Sequence, residues 1–300
     1  MIVVDHVTKS YGKATVVADV SFTAEQGRVT GFLGPNGSGK STTLKVLLGL
    51  ARPDSGSATI DGRPYAAHPD PARLIGVMIE PNAYHPGRSG RDHLRIMADT
   101  AGLPRARVDD VLGRVGLGSS ADQRVREYSL GMRQRLGLAA ALLGDPGILV
   151  LDEPGNGLDP QGLRWLRDLL RRHADRGGTV LVSSHLLAEM EHMADDLVVL
   201  SGGKLITSGT VSELQERQVT VRSSNPEQLE AALVAMGGKV EPAADGAATV
   251  RGMAMHDIGQ AAFDAGIAVH ELSSGGSSLE EQFLRWTESS SGLGAQEEGR

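Results

Sequence analysis

The sequence predicts an α/β fold with a mainly parallel sheet, followed by a small α+β domain of ferredoxin-like order. Three observations carry this. Strand-like apolar runs alternate with helical stretches between positions 28 and 208, and a helical insertion interrupts them. The stretch GPNGSGKST, Gly34 to Thr42, follows one apolar run and opens a helix, which is the context that G-x-x-x-x-G-K-[ST] requires. From Val219 onward the order becomes β-α-β-β-α-β.

Taken in order, Ile2–Thr8 and Thr15–Ala24 are rich in Val and Thr and read as strands, joined by a turn at Lys9-Ser10-Tyr11-Gly12. Arg28–Leu33 is the strand before the glycine-rich loop, and Thr43–Leu50 the helix after it. A breaker-rich stretch, 51–57, leads to strands at Ser57–Asp61 and Leu74–Ile79. Residues 89–143 carry helical spacing, with helices at Asp92–Thr100, Arg105–Val115 and Leu130–Leu143. Strands return at Gly147–Asp152, Thr179–Ser183 and Leu197–Leu200, separated by helices at Pro160–Arg176 and Leu186–Met193. Nearly continuous apolar strands of this kind are buried on both faces. Gly202-Gly203 turns the chain into Lys204–Ser208. After a connector at Glu213–Gln218 come Val219–Ser223, Pro226–Met236, Lys239–Pro242, Ala247–Arg251, Met255–Ala265 and Ile267–Leu272, then a last helix, Ser278–Trp286. Ser289–Arg300 is Ser/Gly/Glu-rich and reads as disordered.

Composition narrows the chemistry. The chain has no cysteine, which excludes disulfides, thiolate metal sites and a cysteine nucleophile, and fits a cytosolic protein. No apolar run approaches the roughly 18 residues of a membrane span, and the N-terminus lacks the pattern of a secretory signal. The net charge is −7, and the residues from Val219 onward hold 12 acidic and 5 basic side chains. The first part is therefore neutral overall and the end acidic, which argues against a general nucleic-acid binder.

Glycines at 34, 37 and 39 let the Gly34–Thr42 backbone curl so that successive N–H groups face one phosphate. The helix that follows adds its positive end. Lys40 is placed to reach β- and γ-phosphates and the Ser41 hydroxyl to ligate Mg²⁺. Pro35, Asn36, Ser38 and Thr42 complete the cradle. Downstream, Ile148–Leu151 is an apolar strand that delivers Asp152 and Glu153 at its carboxyl end, where ligands bind in open α/β sheets. Asp152 is the candidate Mg²⁺ holder, and Glu153 the candidate base for an attacking water.

These motifs stand in the order of a known family. Tyr11, the 34–42 loop, the 79–82 segment, Tyr128-Ser129-Leu130-Gly131-Met132, the 148–153 strand, Asn156-Gly157-Leu158-Asp159-Pro160 and His185 together resemble the ATP-binding subunit of an ABC transporter over residues 1–217. The resemblance implies a P-loop cassette with N-terminal antiparallel strands and ATP held between two head-to-tail copies. It implies that Tyr11 stacks on adenine, and that Ser129 and Gly131 contact the γ-phosphate of the other copy's ATP. It gives Asp159 a place in the loop that couples the two sites, and His185 a hydrogen bond to the γ-phosphate.

Two departures are visible. Where the family has LSGGQ, this chain keeps Ser129 and Gly131 but carries Leu130 and Met132 in place of a glycine and a glutamine. Glu80 stands where most of the family has glutamine; an ionised glutamate accepts but does not donate, while still able to ligate Mg²⁺ or orient water. Glu at this position is similar to the ATPases of bacitracin- and lantibiotic-type peptide-antibiotic export, and Ser273–Leu284 resembles the end of drug-exporter ATPases.

The expected organisation is a cassette at 1–217 with a helical subdomain at about 81–143, an accessory domain at 218–288 and a tail at 289–300. The expected function is ATP hydrolysis that powers a separate multi-span membrane permease. The cassette would sit on the cytoplasmic face of the membrane through that permease. The alternative is a soluble ABC ATPase acting on ribosomes or DNA. Such members carry two cassettes or a long coiled-coil insertion, and neither is present here.

Overall fold

The computed structural model describes residues 1–79, 84–214, 218–243, 246–274 and 283. Glu80, the Ser278–Trp286 helix apart from Phe283, and the 289–300 tail lie outside the described residues. The first elements are strands β1 (Ile2–Tyr11), β2 (Ala14–Ala24) and β3 (Val29–Leu33), helix α1 (Lys40–Leu47), β4 (Ser55–Ile60), α2 (Pro71–Leu74) and β5 (Ile75–Met78). Three helices follow, α3 (Gly90–Thr100), α4 (Ala106–Arg114) and α5 (Leu130–Ala141). Then come β6 (Ile148–Leu151), α6 (Pro160–Asp175), β7 (Thr179–Ser184), α7 (Leu187–Met193), β8 (Asp196–Ser201) and β9 (Lys204–Thr210).

Six strands form one sheet in the order β5-β6-β7-β3-β8-β9, with parallel pairing from β5 through β8. Every residue of β3, β6 and β7 is buried, which is why these strands read as apolar runs without alternation. A second sheet, β2-β1-β4, is antiparallel. In β1 the register breaks between Val4 and Val7, where His6 has φ 50°. That bulge turns Val7 inward, out of step with Ile2 and Val4. Phe22 of β2 and Phe32 of β3, with ring centroids 5.0 Å apart, join the two sheets, and Leu44 and Leu47 of α1 belong to the same core.

Two clamps hold the strand that carries the loop. At the start of β3 the Val29 N–H donates to Asp195 Oδ2 (2.8 Å), and Arg171 of α6 grips the same carboxylate at 2.7 and 2.9 Å. Arg28 pairs with Asp196 at 2.5 and 2.6 Å. On another side, the Arg135 guanidinium of α5 lies 4.6 Å from the Trp165 ring centroid of α6.

Three sequence readings need correction. The Lys9–Tyr11 stretch is strand, paired to Val17, Thr15 and Ala14, so the turn is Gly12-Lys13, with Gly12 at φ 60°. Helix α1 starts at Lys40, inside the motif, because Gly39 at φ 99° is its N-cap. Helix α8 (Val211–Leu214), in the next unit, runs into the start of the stretch read as a connector at Glu213–Gln218, and α2 takes Leu74 from the strand read at Leu74–Ile79.

The chain divides into two compact units; by contacts the second begins at Thr210, whereas the sequence reading placed the junction at 217. After α8 the second unit contains β10 (Gln218–Ser223), α9 (Pro226–Ala235), β11 (Lys239–Pro242), β12 (Ala248–Arg251), α10 (Met255–Asp264) and β13 (Val269–Ser274). Its sheet runs β11-β12-β10-β13, all antiparallel. Its core is Val219, Val221, Leu229, Leu233, Val250 and Ile258. No helix among the described residues is long and apolar enough to cross a membrane.

Candidate functional site

Beyond the carboxyl end of β3 the chain turns through Gly34 to Gly39. A Cβ added at Gly34 would overlap the Leu200 carbonyl oxygen and Ser38 Oγ, and Gly37 and Gly39 have φ 82° and 99°. The loop is thus confined to glycine where it bends most tightly. Pro35, Asn36, Gly37 and Ser41 are exposed, and Thr42 is half-buried. Gly39 provides no side-chain cap, so the first N–H groups of α1 are left without one. Ser38 is buried, and its Oγ has no hydrogen-bond partner among the described residues. Lys40 is 5% exposed; its Nζ donates to Gly34 O at 2.6 Å and lies 3.4 Å from Glu153 Oε1.

The facing carboxylates come from β6. The register Leu151↔Val182 sets Asp152 beside Ser183 of β7. Ser183 Oγ donates to Asp152 Oδ1 (2.5 Å) and accepts from the Glu153 N–H (2.9 Å). The Asp152 N–H donates to Met78 O of β5 at 2.6 Å. Glu153 has φ 51°, a left-handed conformation that costs a non-glycine residue about 1–3 kcal/mol. Its Oε2 lies 2.8 Å from His185 Nδ1. One carboxylate therefore spans the lysine of the loop and the histidine after β7. Behind them Glu189 of α7 accepts from Ser184 Oγ at 3.2 Å. Burial holds its carboxyl above the usual range; the Ser184 bond opposes this and the Glu153 charge adds to it.

The sequence-derived residues thus form one connected group and several separate ones. Lys40, Glu153, His185 and, through Ser183, Asp152 are linked directly. Ser129 caps α5, accepting from the Met132 N–H at 3.2 Å. Asp159 caps α6, accepting from the Gly162 N–H at 2.7 Å. Gly131 lies against the Gly157 carbonyl. Tyr11 is 51% exposed, with Lys9 Nζ 5.2 Å from its ring centroid. Among the described residues none of these four hydrogen-bonds to the Gly34–Thr42 loop. Sequence reasoning missed Ser183, Ser184 and Glu189. The visible signal was a pair of hydroxyls ending an otherwise apolar strand, immediately before His185.

The donor set suits a nucleotide. The unpartnered Ser38 hydroxyl, the uncapped helix start and Lys40 are groups that phosphate oxygens satisfy. Among the described residues no three His, Cys, Asp or Glu side chains gather into a metal site. A Mg²⁺ that travels with phosphates needs only one or two protein ligands, for which Ser41 and Asp152 are the candidates.

Known proteins point the same way. The ABC transporter family model matches residues 17–156, and a model for a domain of unknown function matches 217–280. The lantibiotic transport ATP-binding protein SrtF of Streptococcus pyogenes is 38% identical over 206 residues, which is 69% of this chain and 89% of that protein. The bacitracin transport ATP-binding protein BcrA of Bacillus licheniformis is 39% identical over 213 residues, 70% of either chain. A solved ATP-binding subunit of an ABC transporter superposes with a TM-score of 0.65 at 29% identity, covering 72% of this chain and 92% of that one. With relatives this similar over this much of their length, the chain belongs to the ATP-binding subunits of ABC transporters and is an ATPase.

Proposed function

We propose that two copies of this chain sandwich ATP head to tail and drive a separate membrane permease that exports a drug or peptide antibiotic. The observation that carries the catalytic part is the Glu153 carboxylate, held between Lys40 and His185. A γ-phosphate is a stronger partner for Lys40 than a carboxylate 3.4 Å away. Nucleotide binding would draw Lys40 onto the phosphates and leave Glu153 oriented by His185. Glu153 then accepts a proton from water as the water oxygen bonds to the γ-phosphorus and the bond from that phosphorus to the bridging oxygen of ADP breaks. His185 and Lys40 stabilise the charge on the transferring phosphoryl group. Mg²⁺, held by Ser41 and Asp152, with Glu80 as a further ligand or water-orienting group, would offset phosphate charge.

The second copy would supply Ser129 and Gly131 at the start of α5, where helix N–H groups suit an anion. Asp159 would lie at the junction of the two copies, and Tyr11 would stack on adenine. The permease is assigned to the helical insertion and the Glu80 loop. A groove of about 540 Å³ with Leu50, Val77, Ile79, Tyr84, Met97 and Leu136 in its wall supports this. The lantibiotic and bacitracin relatives favour export and disfavour the ribosome- or DNA-associated alternative.

The test is Glu153→Gln. It should keep nucleotide binding, lower turnover by roughly a hundredfold or more and trap an ATP-bound dimer seen by size-exclusion chromatography. Undiminished steady-state ATPase would remove Glu153 as the base. Co-purification with the permease and a substrate-stimulated ATPase screen test the transport reading.

A further inference from the structure

Helix α5 and the loop after β6 meet across two glycines. Leu130, the first residue of α5, lays its side chain over Gly157, where an added Cβ would overlap Leu130 Cγ and Cδ2. Gly157 has φ 77°, so conformation and space both require glycine there. The contact is reciprocal, since a Cβ added at Gly131 would stand 3.0 Å from Gly157 O and 3.7 Å from Leu158 Cδ2. Leu130 is nonetheless 50% exposed: one side of it covers the loop while the other is open. A glycine at 130 could make no such contact.

The loop beneath Leu130 is short and closed by turns. The Asn156 N–H donates to Glu153 O (3.2 Å) and the Leu158 N–H to Gly155 O (3.0 Å). Glu153 begins it with φ 51°, and Asp159 ends it as the cap of α6. A shift at Gly157 therefore acts on a turn that begins at Glu153, four residues away. We infer that Leu130 is a positioning residue for hydrolysis: it latches the 153–159 loop to the start of α5 and so sets where the Glu153 carboxylate points. This rests on the reading of Glu153 as the base.

The test uses the full-length chain and two readouts, hydrogen–deuterium exchange of amides 155–158 and steady-state ATPase. Leu130→Ala should speed exchange there about fivefold or more. It should lower kcat by a similar factor, with KM for ATP changed less than about twofold. Leu130→Met, which refills the contact, should restore both. Val234→Ala, at an exposed apolar position of α9, should alter neither. Unchanged exchange in Leu130→Ala overturns the latch whatever happens to kcat. Faster exchange with unchanged kcat overturns its part in hydrolysis. Full turnover in Glu153→Gln would defeat the general-base reading and with it the catalytic half of the inference, while the exchange result would still decide whether the contact holds the loop.

Discussion

A hydroxyl has one proton to give, and Ser183 gives it to Asp152 while accepting from the Glu153 N–H. Ser183→Ala leaves both acids without that tether. A hydrogen bond to a charged group is worth about 1.5–3 kcal/mol, so kcat should fall by roughly tenfold to a hundredfold if the loss is felt in the transition state. Ser183→Thr keeps the hydroxyl and should keep most of the rate; steady-state ATPase checks both. Glu189 makes a prediction about pH. Its carboxyl is raised first by burial and further by the Glu153 charge, so folding disfavours its ionised form. The resulting destabilisation is absent below its ordinary value of 4.5 and grows as pH rises from there through the folded value. Urea midpoints between acid and neutral pH should therefore decline less in Glu189→Gln than in the unaltered chain. Asp152, Glu153 and Lys40 were legible as residues because their chemistry lies in local motifs. Ser183 was not, because its role comes from a strand register that joins positions 31 apart in the chain.

At the scale of elements, the clamp on β3 is a stability device with a pH signature. Burial pulls the Asp195 carboxyl upward, but the Arg171 hydrogen bonds, the Val29 N–H and the charges of Arg171 and Arg28 together hold it below the usual range. Its contribution is present above the ordinary value of 3.8 and is lost as pH falls through the folded one. Asp195→Asn should cost about 1–2 kcal/mol, near the low end for a charged pair because Arg171 is 38% exposed and screened by solvent. Urea denaturation at neutral pH measures it, and the difference from the unaltered chain should shrink in acid. The alternation from β6 to β8 was readable because the middles of those strands are apolar and α6 between them is amphipathic. The start of α1 was misread because its cap is a glycine at φ 99° rather than a side chain that announces itself. The partner of β4 was not readable at all, since period-two patterning identifies a strand but not its neighbour.

At the scale of the assembled molecule, a composite site predicts complementation. On the proposed arrangement, Lys40→Ala would disable the loop of its own copy, and Ser129→Arg would block the anion contact proposed for its partner. Each alone should be nearly inactive. A mixed dimer holds one site built from two undamaged halves, so mixing the variants should restore up to about a quarter of the unaltered ATPase activity. No recovery on mixing would overturn the head-to-tail arrangement. The Arg135–Trp165 contact gives any movement between α5 and α6 an optical readout. The chain has two tryptophans, and Trp286 lies outside the described residues. Trp286→Phe leaves a single tryptophan, stacked on a cation of the helix that Ser129 caps. Because α5 and α6 are capped by Ser129 and Asp159, any hinging of one against the other on nucleotide binding moves a positive charge across an indole face. The emission of that one residue would then follow the catalytic cycle in real time, without a dye or a labelled nucleotide.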